Sequence, residues 1–451
     1  MKIGFIAMSG VRAQNEELMK LGLTLPGFVE RSKVIASLPS LSLLTLAALT
    51  PSRFEVEYRE ILDLKTAGPL PQDYDLVAIT SLSAQIFEAY TVADFYEQRG
   101  VPVVMGGLHV TSLPEEALEH CTTVVVGEGE PVWGEILRDF EKGQLKAVYR
   151  QAAWGGFDLR TAPVPRFELL EPEKYNRITV QTSRGCPHKC EFCASSILLT
   201  PRYKLKPVEK VIEEIRAIKS IWPRPFIEFA DDNSFVQREH YKALLRELAK
   251  EDVRWFTEAD VSVAQDDELL GLMRDSGCQQ VLIGFESPRP VSIAGVETHS
   301  NWKARQQDRY KEAIARIQAH GVTVNGCFIL GLDGDTPEVF DEVLAFVRDS
   351  DLCEVQVTLL TAFPGTPLYR RLRSEGRIIR DRAWNLCTLF DANITPKNMS
   401  VVELKAGFLK LVKTLYCAEE TGFRRRRFKA KLRRPPMERG QTGPELAGVA
   451  A

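Results

Sequence analysis

No run of apolar residues in this 451-residue sequence is long and unbroken enough to cross a membrane. The longest apolar-leaning stretch, VIASLPSLSLLTLAALTP from Val34 to Pro51, is interrupted by Pro39 and by serines and threonines. It is expected to form a buried or half-buried helix. A secretory signal is also lacking: the apolar run in MKIGFIAMSG is short, and no small-residue cleavage site follows. Those residues read as a strand and a turn. Net charge is scarce. Lys plus Arg number 58 and Asp plus Glu 61, leaving −3 and no overall pull toward nucleic acid or anionic membranes. A disulfide framework is excluded by an odd cysteine count with one tight cluster, which points to a reducing, cytoplasmic setting. Six of the nine cysteines (Cys121, Cys278, Cys327, Cys353, Cys387 and Cys417) are scattered singly and read as buried small hydrophobes. There is no internal repeat and no low-complexity array.

What is present is an alternation of strands and helices, on a chain too long for one ordinary core. Over residues 1–145 the strand candidates are KIGFIAM, FEVEYREI, DLVAITSL, VPVVMGG and TTVVVGEGE. Several are continuous apolar runs, as parallel strands buried on both faces require. In PVWGEILRDFEKG the residues Val132, Trp133, Ile136, Leu137 and Phe140 recur at helical spacing. The pattern predicts a doubly wound α/β domain, whose ligands sit beyond the carboxyl ends of the strands. Those ends carry Thr80 and Ser81, then Gly106, Gly107 and His109, then Gly127 and Glu128. Small residues there let a large flat ligand approach the backbone.

Residues 146–176, with WGG, APVPR and EPEK, read as a linker. From 177 to 377 six further strand candidates alternate with helical patterns: RITVQTS, PFIEFADD, VRWFTEADV, QQVLIGFES, VTVNGCFILGL and EVQVTLLTAF. Six β/α units suggest a partial barrel with its site at the C-terminal ends of the strands. Residues 378–451 are predicted to be mainly helical. In RRRRFKAKLRR eight Lys or Arg fall between Arg424 and Arg434. This stretch reads as a solvated helix end, with attraction to nucleic acid or a peripheral membrane contact as the alternative. The final MERGQTGPELAGVAA is expected to be disordered.

The chemistry is concentrated in TSRGCPHKCEFCASS, which places Cys186, Cys190 and Cys193 in a loop after the first barrel strand. Zinc sites bring a second cysteine pair or a downstream histidine pair, and neither follows. Thiolates suit iron–sulfur clusters, and three of them leave one iron of a 4Fe-4S cluster open to an outside ligand. The spacing C-x3-C-x-aromatic-C, with Phe192 in the aromatic place, resembles the radical S-adenosylmethionine (SAM) enzymes. Later strands resemble the same family in order. FADDN offers Asp231 and Asp232 at the end of the second strand, and FTEAD offers Glu258. IGFES offers Glu286 and Ser287, GCFILGLDGDT offers Gly331, and TAFPGTPLY offers Phe363 and Pro364. The resemblance covers Arg177 to Arg377 and implies that these residues frame SAM while Cys186, Cys190 and Cys193 hold the cluster. RFELL, DDNSF, GFESP and LYRRLRSEGR are most similar to the subgroup containing hopanoid C-2 methylases.

An α/β domain ahead of such a barrel resembles the cobalamin-binding domains of that superfamily. The histidine motif D-x-H-x-x-G of many cobalamin proteins is absent, since His109 follows GGL rather than Asp. The resemblance implies reductive cleavage of SAM to a 5′-deoxyadenosyl radical, hydrogen abstraction, and methyl transfer from cobalamin to an unactivated carbon of a small or terpenoid-like molecule. It also implies a reductase or a flavodoxin- or ferredoxin-type electron donor, and no nucleic-acid partner. Two alternatives remain open: a cyclase, oxidoreductase or rearrangement enzyme that uses cobalamin without methyl transfer, and a metal-binding protein without turnover.

Overall fold

The computed structural model describes residues 1–21, 38–151, 156–195 and 202–432. Six strands make the first sheet: β1 (Lys2–Met8), β2 (Glu55–Ile61), β3 (Leu76–Ser81), β4 (Val103–Gly106), β5 (Thr123–Val126) and β6 (Val148–Arg150). All pair in parallel, in the order β2-β1-β3-β4-β5-β6. The order reverses between β1 and β3, which opens a crevice at their C-terminal ends. Alternate residues serve opposite faces. Ile3, Phe5 and Ala7 pack with Leu43, Ala47 and Trp133 from the helices Leu41–Leu49 and Glu130–Glu141. Ile6 and Met8 pack on the other face with Ile86, Ala89 and Ala93 of the helix Ile86–Glu97. The sixth strand lies in the segment read as a linker. Only Val148–Arg150 bond to β5, a stretch too short to announce itself by pattern.

Then follow β7 (Ile178–Val180), the two-residue strands β8 (Ser183–Arg184) and β9 (Lys204–Leu205), β10 (Phe226–Ser234), β11 (Arg254–Ala259), β12 (Cys278–Glu286), β13 (Thr323–Leu330) and β14 (Glu354–Leu359). Apart from the antiparallel β8–β9 pair, they form a second all-parallel sheet in the order β14-β13-β12-β11-β10-β7. Each strand lies beside its predecessor, and β7 and β14 are the two edges, so the barrel is partial. Ile227, Phe229, Trp255, Val281, Ile283 and Val324 face the surrounding helices, among them Val208–Ile221 with Val211, Ile215 and Ile218. The intervening positions include the polar Glu228, Glu258, Gln280 and Asn325.

Residues after β14 tie the two sheets together. Leu360, Ala362, Leu368 and Trp384 join the apolar cluster under the helix Ile86–Glu97. The C-terminal helices are Val401–Tyr416, opened by a Ser400–Glu403 capping box, and Ala418–Leu432. The second helix carries most of the basic stretch, and four of its basic residues, Arg424, Arg425, Arg427 and Lys431, bond back to the protein. Arg425 Nε lies 2.6 Å from Glu354 Oε1, and Arg427 and Lys431 both reach Asp351. Arg424 is buried and donates to the Leu415 carbonyl at 2.9 Å. Asp351 and Glu354 stand at the start of β14, so this helix closes the barrel end opposite the site. Residues 433–451, expected to be disordered, lie outside the described residues. Among the described residues no helix is long and apolar enough to cross a membrane.

Candidate active site

The loop after β7 carries the three cysteines and is pinned first by β10. The ladder between β10 and β11 slips between Phe229 and Ser234. This bulge frees Asp231, Asp232 and Asn233 from strand pairing. Asp231 Oδ1 accepts from the Thr182 and Ser183 amides, both at 2.8 Å. Its Oδ2 meets the hydroxyls of Thr182, Ser234 (2.9 Å) and Tyr241 (3.0 Å). Asp232 accepts from the Gly185 amide at 2.7 Å and from the Ser195 hydroxyl. Gly185 has φ +97°, the left-handed region that favours glycine. Asn233 donates to Cys186 Sγ at 3.8 Å and to Asp260 at 2.9 Å.

Distant segments hold the rest of the loop. Cys190 forms a backbone bridge with Glu297, and the Glu191 amide donates to the Val296 carbonyl at 3.0 Å. Glu297 accepts from the amides of Lys189, His299, Ser300 and Trp302. Burial works against its charge, but the Ser300 and neighbouring donors win and bring its pKa down to about 2. Arg371, on the helix Pro367–Ser374, grips Glu191 through two bonds of 3.0 and 2.7 Å. His188 stacks on Trp302, with ring centres 4.5 Å apart. Burial pushes the Cys186 thiol up to about 11 and Cys190 up to about 12, and neighbouring thiols add to both. A metal that binds here therefore displaces protons.

Glu286 ends β12 at a break in its pairing with β13 and has φ +62°. A non-glycine residue in that conformation stores strain. Its buried carboxylate pairs with Lys303 Nζ. Burial alone lowers the pKa of Lys303; Glu286 and Cys190 beside it reverse this and keep the ammonium charged. Ser287 is buried and accepts from the Arg289 amide at 3.2 Å. Gly331 has φ +96°, and its amide donates to buried Asp335 at 2.9 Å. Phe192 and Phe363 pack half-buried on one apolar cluster, and Pro364 is buried.

Glu258 stands at the end of β11. Its side chain is exposed to solvent, and the mass of protein around it still weakens its hydration. That desolvation, then repulsion from Glu228, Asp232, Asp231 and Glu286, raises its pKa to about 8. The folded state thus holds this proton more tightly than the unfolded chain, whose value is 4.5. Its contribution to stability is complete below pH 4.5 and is lost as pH rises through about 8. Glu258→Gln removes the group. The urea midpoint of the metal-free parent should fall relative to the variant on going from about pH 5 to about pH 9. Parallel profiles would refute the assignment.

At the first sheet, a cavity of about 530 Å³ lies over the C-terminal ends of β1, β3, β4 and β5. Thr80, Ser81, Gly106, Gly107, Gly127 and Glu128 line it, with the apolar Leu41, Leu46 and Leu159. Gly107 has φ +111°, and a Cβ there would come within 3.0 Å of Thr80 Oγ1. The cavity reaches Gln181, Arg184, Ser195 and Asp232 of the second sheet's site. His109, expected as a ligand contact, does not line it. Its Nδ1 faces Ser83 Oγ at 3.1 Å and its Nε2 faces Glu116 at 3.3 Å, so both ring nitrogens are taken. Asp231 also departs from expectation: its oxygens are committed to the loop, which makes it an anchor. Glu128 lines the cavity but spends its carboxylate on Arg184 and Lys204.

Comparison with known proteins agrees with this geometry. The Radical SAM superfamily model matches residues 180–347 and the B12 binding domain residues 70–137. A third, described as Domain of unknown function (DUF4070), matches residues 366–451. The bacteriochlorophyllide d C-12(1)-methyltransferase of Chlorobaculum tepidum is 30% identical over 384 residues, 83% of this chain and 82% of that one. The chain belongs to the cobalamin-dependent radical SAM methyltransferase family. The hopanoid C-2 methylase of Rhodopseudomonas palustris is 27% identical to this family member over 77% of this chain and 67% of its own. The solved structure of the radical SAM methyltransferase TsrM from Kitasatospora setae, with cobalamin and a 4Fe-4S cluster bound, shares its fold. The TM-score is 0.61 at 19% identity, over 84% and 79% of the two chains.

The family's cofactors are a 4Fe-4S cluster, SAM and cobalamin, and the residues present fit them. Three thiols share one loop and sense each other's charge, while Asn233 donates to Cys186 Sγ and the charge of Lys303 favours the Cys190 thiolate. The cavity's small residues and left-handed Gly107 suit a broad planar ring, and no histidine stands on its described wall.

Proposed function

We propose that this enzyme methylates an unactivated carbon of an apolar, polycyclic small molecule of terpenoid or tetrapyrrole type. The observation that carries the reading is the single cavity running from the first sheet's C-terminal ends to Asp232 and Ser195 beside the cysteine loop. A ligand on the first sheet thereby meets one on the second. When bound, the cluster and SAM supply one-electron cleavage of a sulfonium, and cobalamin supplies a transferable methyl group. The chain's own part is to hold and shield them. Cys186, Cys190 and Cys193 are the cluster ligands, which leaves one iron for SAM. Lys303 neutralises Glu286 beside Cys190, and Asp232 fixes Gly185. Leu41, Leu46, Phe157 and Leu159 keep water from the cavity. The named relatives act on a bacteriochlorophyllide and on a hopanoid, both large and mostly apolar. All nine cysteines are free, which suits a reducing cytoplasm and an electron donor of flavodoxin or ferredoxin type.

The test is turnover without oxygen, with reconstituted cluster, cobalamin, SAM, a reductant and candidate substrates. Both 5′-deoxyadenosine and S-adenosylhomocysteine should accumulate, with a product heavier by one CH₂. Deoxyadenosine with an unmethylated product would replace this reading by cyclisation or oxidation. Absence of SAM cleavage under every condition would overturn it.

A further inference from the structure

Arg184 joins the two halves of the site. It stands two residues before Cys186 and belongs to β8, which pairs with β9. Its Nη1 donates to Glu128 and its Nη2 to Glu130, both at 2.8 Å. Those glutamates belong to the turn after β5 that lines the first-sheet cavity, and their side chains are 2% and 8% exposed. The same guanidinium bonds Gln181 at 3.1 and 2.8 Å, at the root of the cysteine loop. Lys204, opposite Arg184 in the β8–β9 ladder, adds two bonds of 3.1 Å to Glu128. Glu130 is also the first residue of the helix Glu130–Glu141. A planar guanidinium bridging two buried carboxylates transmits position well, because its fork holds both partners in one geometry.

We infer that Arg184 is a positioning residue that links corrinoid binding in the first-sheet cavity to the arrangement of the cysteine loop. The inference rests on the reading that this cavity takes cobalamin. A corrinoid entering the cavity bears on the Gly127–Glu130 turn. The turn is held to Arg184, and Arg184 leads through Gly185 to Cys186 and to Asp232. Linkage then requires the converse: a loop set by its cluster prepares the turn for the corrinoid.

The test compares hydroxocobalamin affinity with and without the reconstituted cluster, by equilibrium titration under anaerobic conditions. In the parent the cluster should tighten binding by roughly ten-fold. Arg184→Met should bring that ratio close to one, and Arg184→Lys, which keeps the charge but loses the fork, should keep part of it. Arg184→Met leaves two buried carboxylates short of a partner, so it is paired with a triple variant that also carries Glu128→Gln and Glu130→Gln. The triple variant removes the joint together with both its carboxylates, leaves Lys204 to the Phe157 carbonyl at 3.1 Å, and should also show a ratio near one. The ratio is taken within each protein, so a general loss of affinity cancels. A parent ratio near one, or a full ratio in both Arg184→Met and the triple variant, overturns the inference while leaving the cavity reading intact. A parent that binds no hydroxocobalamin in either state overturns both.

Discussion

Replacing Cys190 by Ala is expected to remove the cluster and all SAM cleavage while leaving the fold in place. Cys190 is the most buried of the three cysteines, at 6% exposure. Its main chain, not its sulfur, is what the protein grips: it bridges to Glu297, and the neighbouring Glu191 is held by Val296 and Arg371. Alanine keeps that main chain. The loss is one sulfur from a packed site, worth about 1 kcal/mol of stability. Two thiols cannot replace three as anchors of a four-iron cluster, so function should fall completely while stability moves little. Iron and sulfide content and 5′-deoxyadenosine formation should drop to background after reconstitution. Circular dichroism and the urea midpoint should stay near those of the metal-free parent. A variant that retains iron and cleaves SAM would refute the cluster assignment.

Much of the fold was legible in the sequence because its signals are local. Runs such as DLVAITSL and VPVVMGG are apolar on both faces, as buried parallel strands must be, and they are β3 and β4. The spacing of Val211, Ile215 and Ile218 marks one helix face, and that face is buried. The failures are local too. β6 shows three residues to the solvent edge of a sheet, too few for a period to register. The basic stretch is ambiguous by itself. Its partners Asp351 and Glu354 lie some seventy residues away in sequence, as the Arg425–Glu354 separation of 71 records.

The site divides in the same way. The three cysteines, Asp232, Glu286 and the small residues at the first sheet's ends stand where the sequence pattern puts them, because motif and strand end coincide. The roles of Asp231 and His109 do not follow from position. Each sits near the expected strand end, but the hydrogen-bond partners are Thr182 and Tyr241 for one, and Ser83 and Glu116 for the other. Lys303 and Glu297 left no mark in the sequence, and Arg371 is marked only as part of LYRRLRSEGR, without a role. An isolated Lys, Glu or Arg on a helix or loop looks like solvated surface until the chain brings it to Glu286, to the Cys190 backbone or to Glu191.

Replacing Asp231 by Ala is expected to be the most destabilising change at the site. The carboxylate is buried, and burial pushes its pKa up while the Thr182 and Ser183 donors pull it back. Alanine leaves both amides without an acceptor inside the protein and strips a partner from the hydroxyls of Thr182, Ser234 and Tyr241. A buried donor left unpaired costs about 1–3 kcal/mol, so the sum should reach roughly 3–5 kcal/mol. Asparagine keeps Oδ1 for the two amides, and the hydroxyls can turn to accept from its amino group. Asp231→Asn should therefore cost only about 1 kcal/mol. The pair of variants separates an anchor from a ligand contact. An anchor moves the urea midpoint strongly with Ala and weakly with Asn, and leaves SAM affinity per intact cluster unchanged in the Asn variant. A direct SAM contact would do the reverse: similar midpoints for both variants, and a large loss of SAM affinity in each. Five donors converging on one carboxylate at the root of the cysteine loop favour the first outcome, because no lone pair of Asp231 is left facing the cleft.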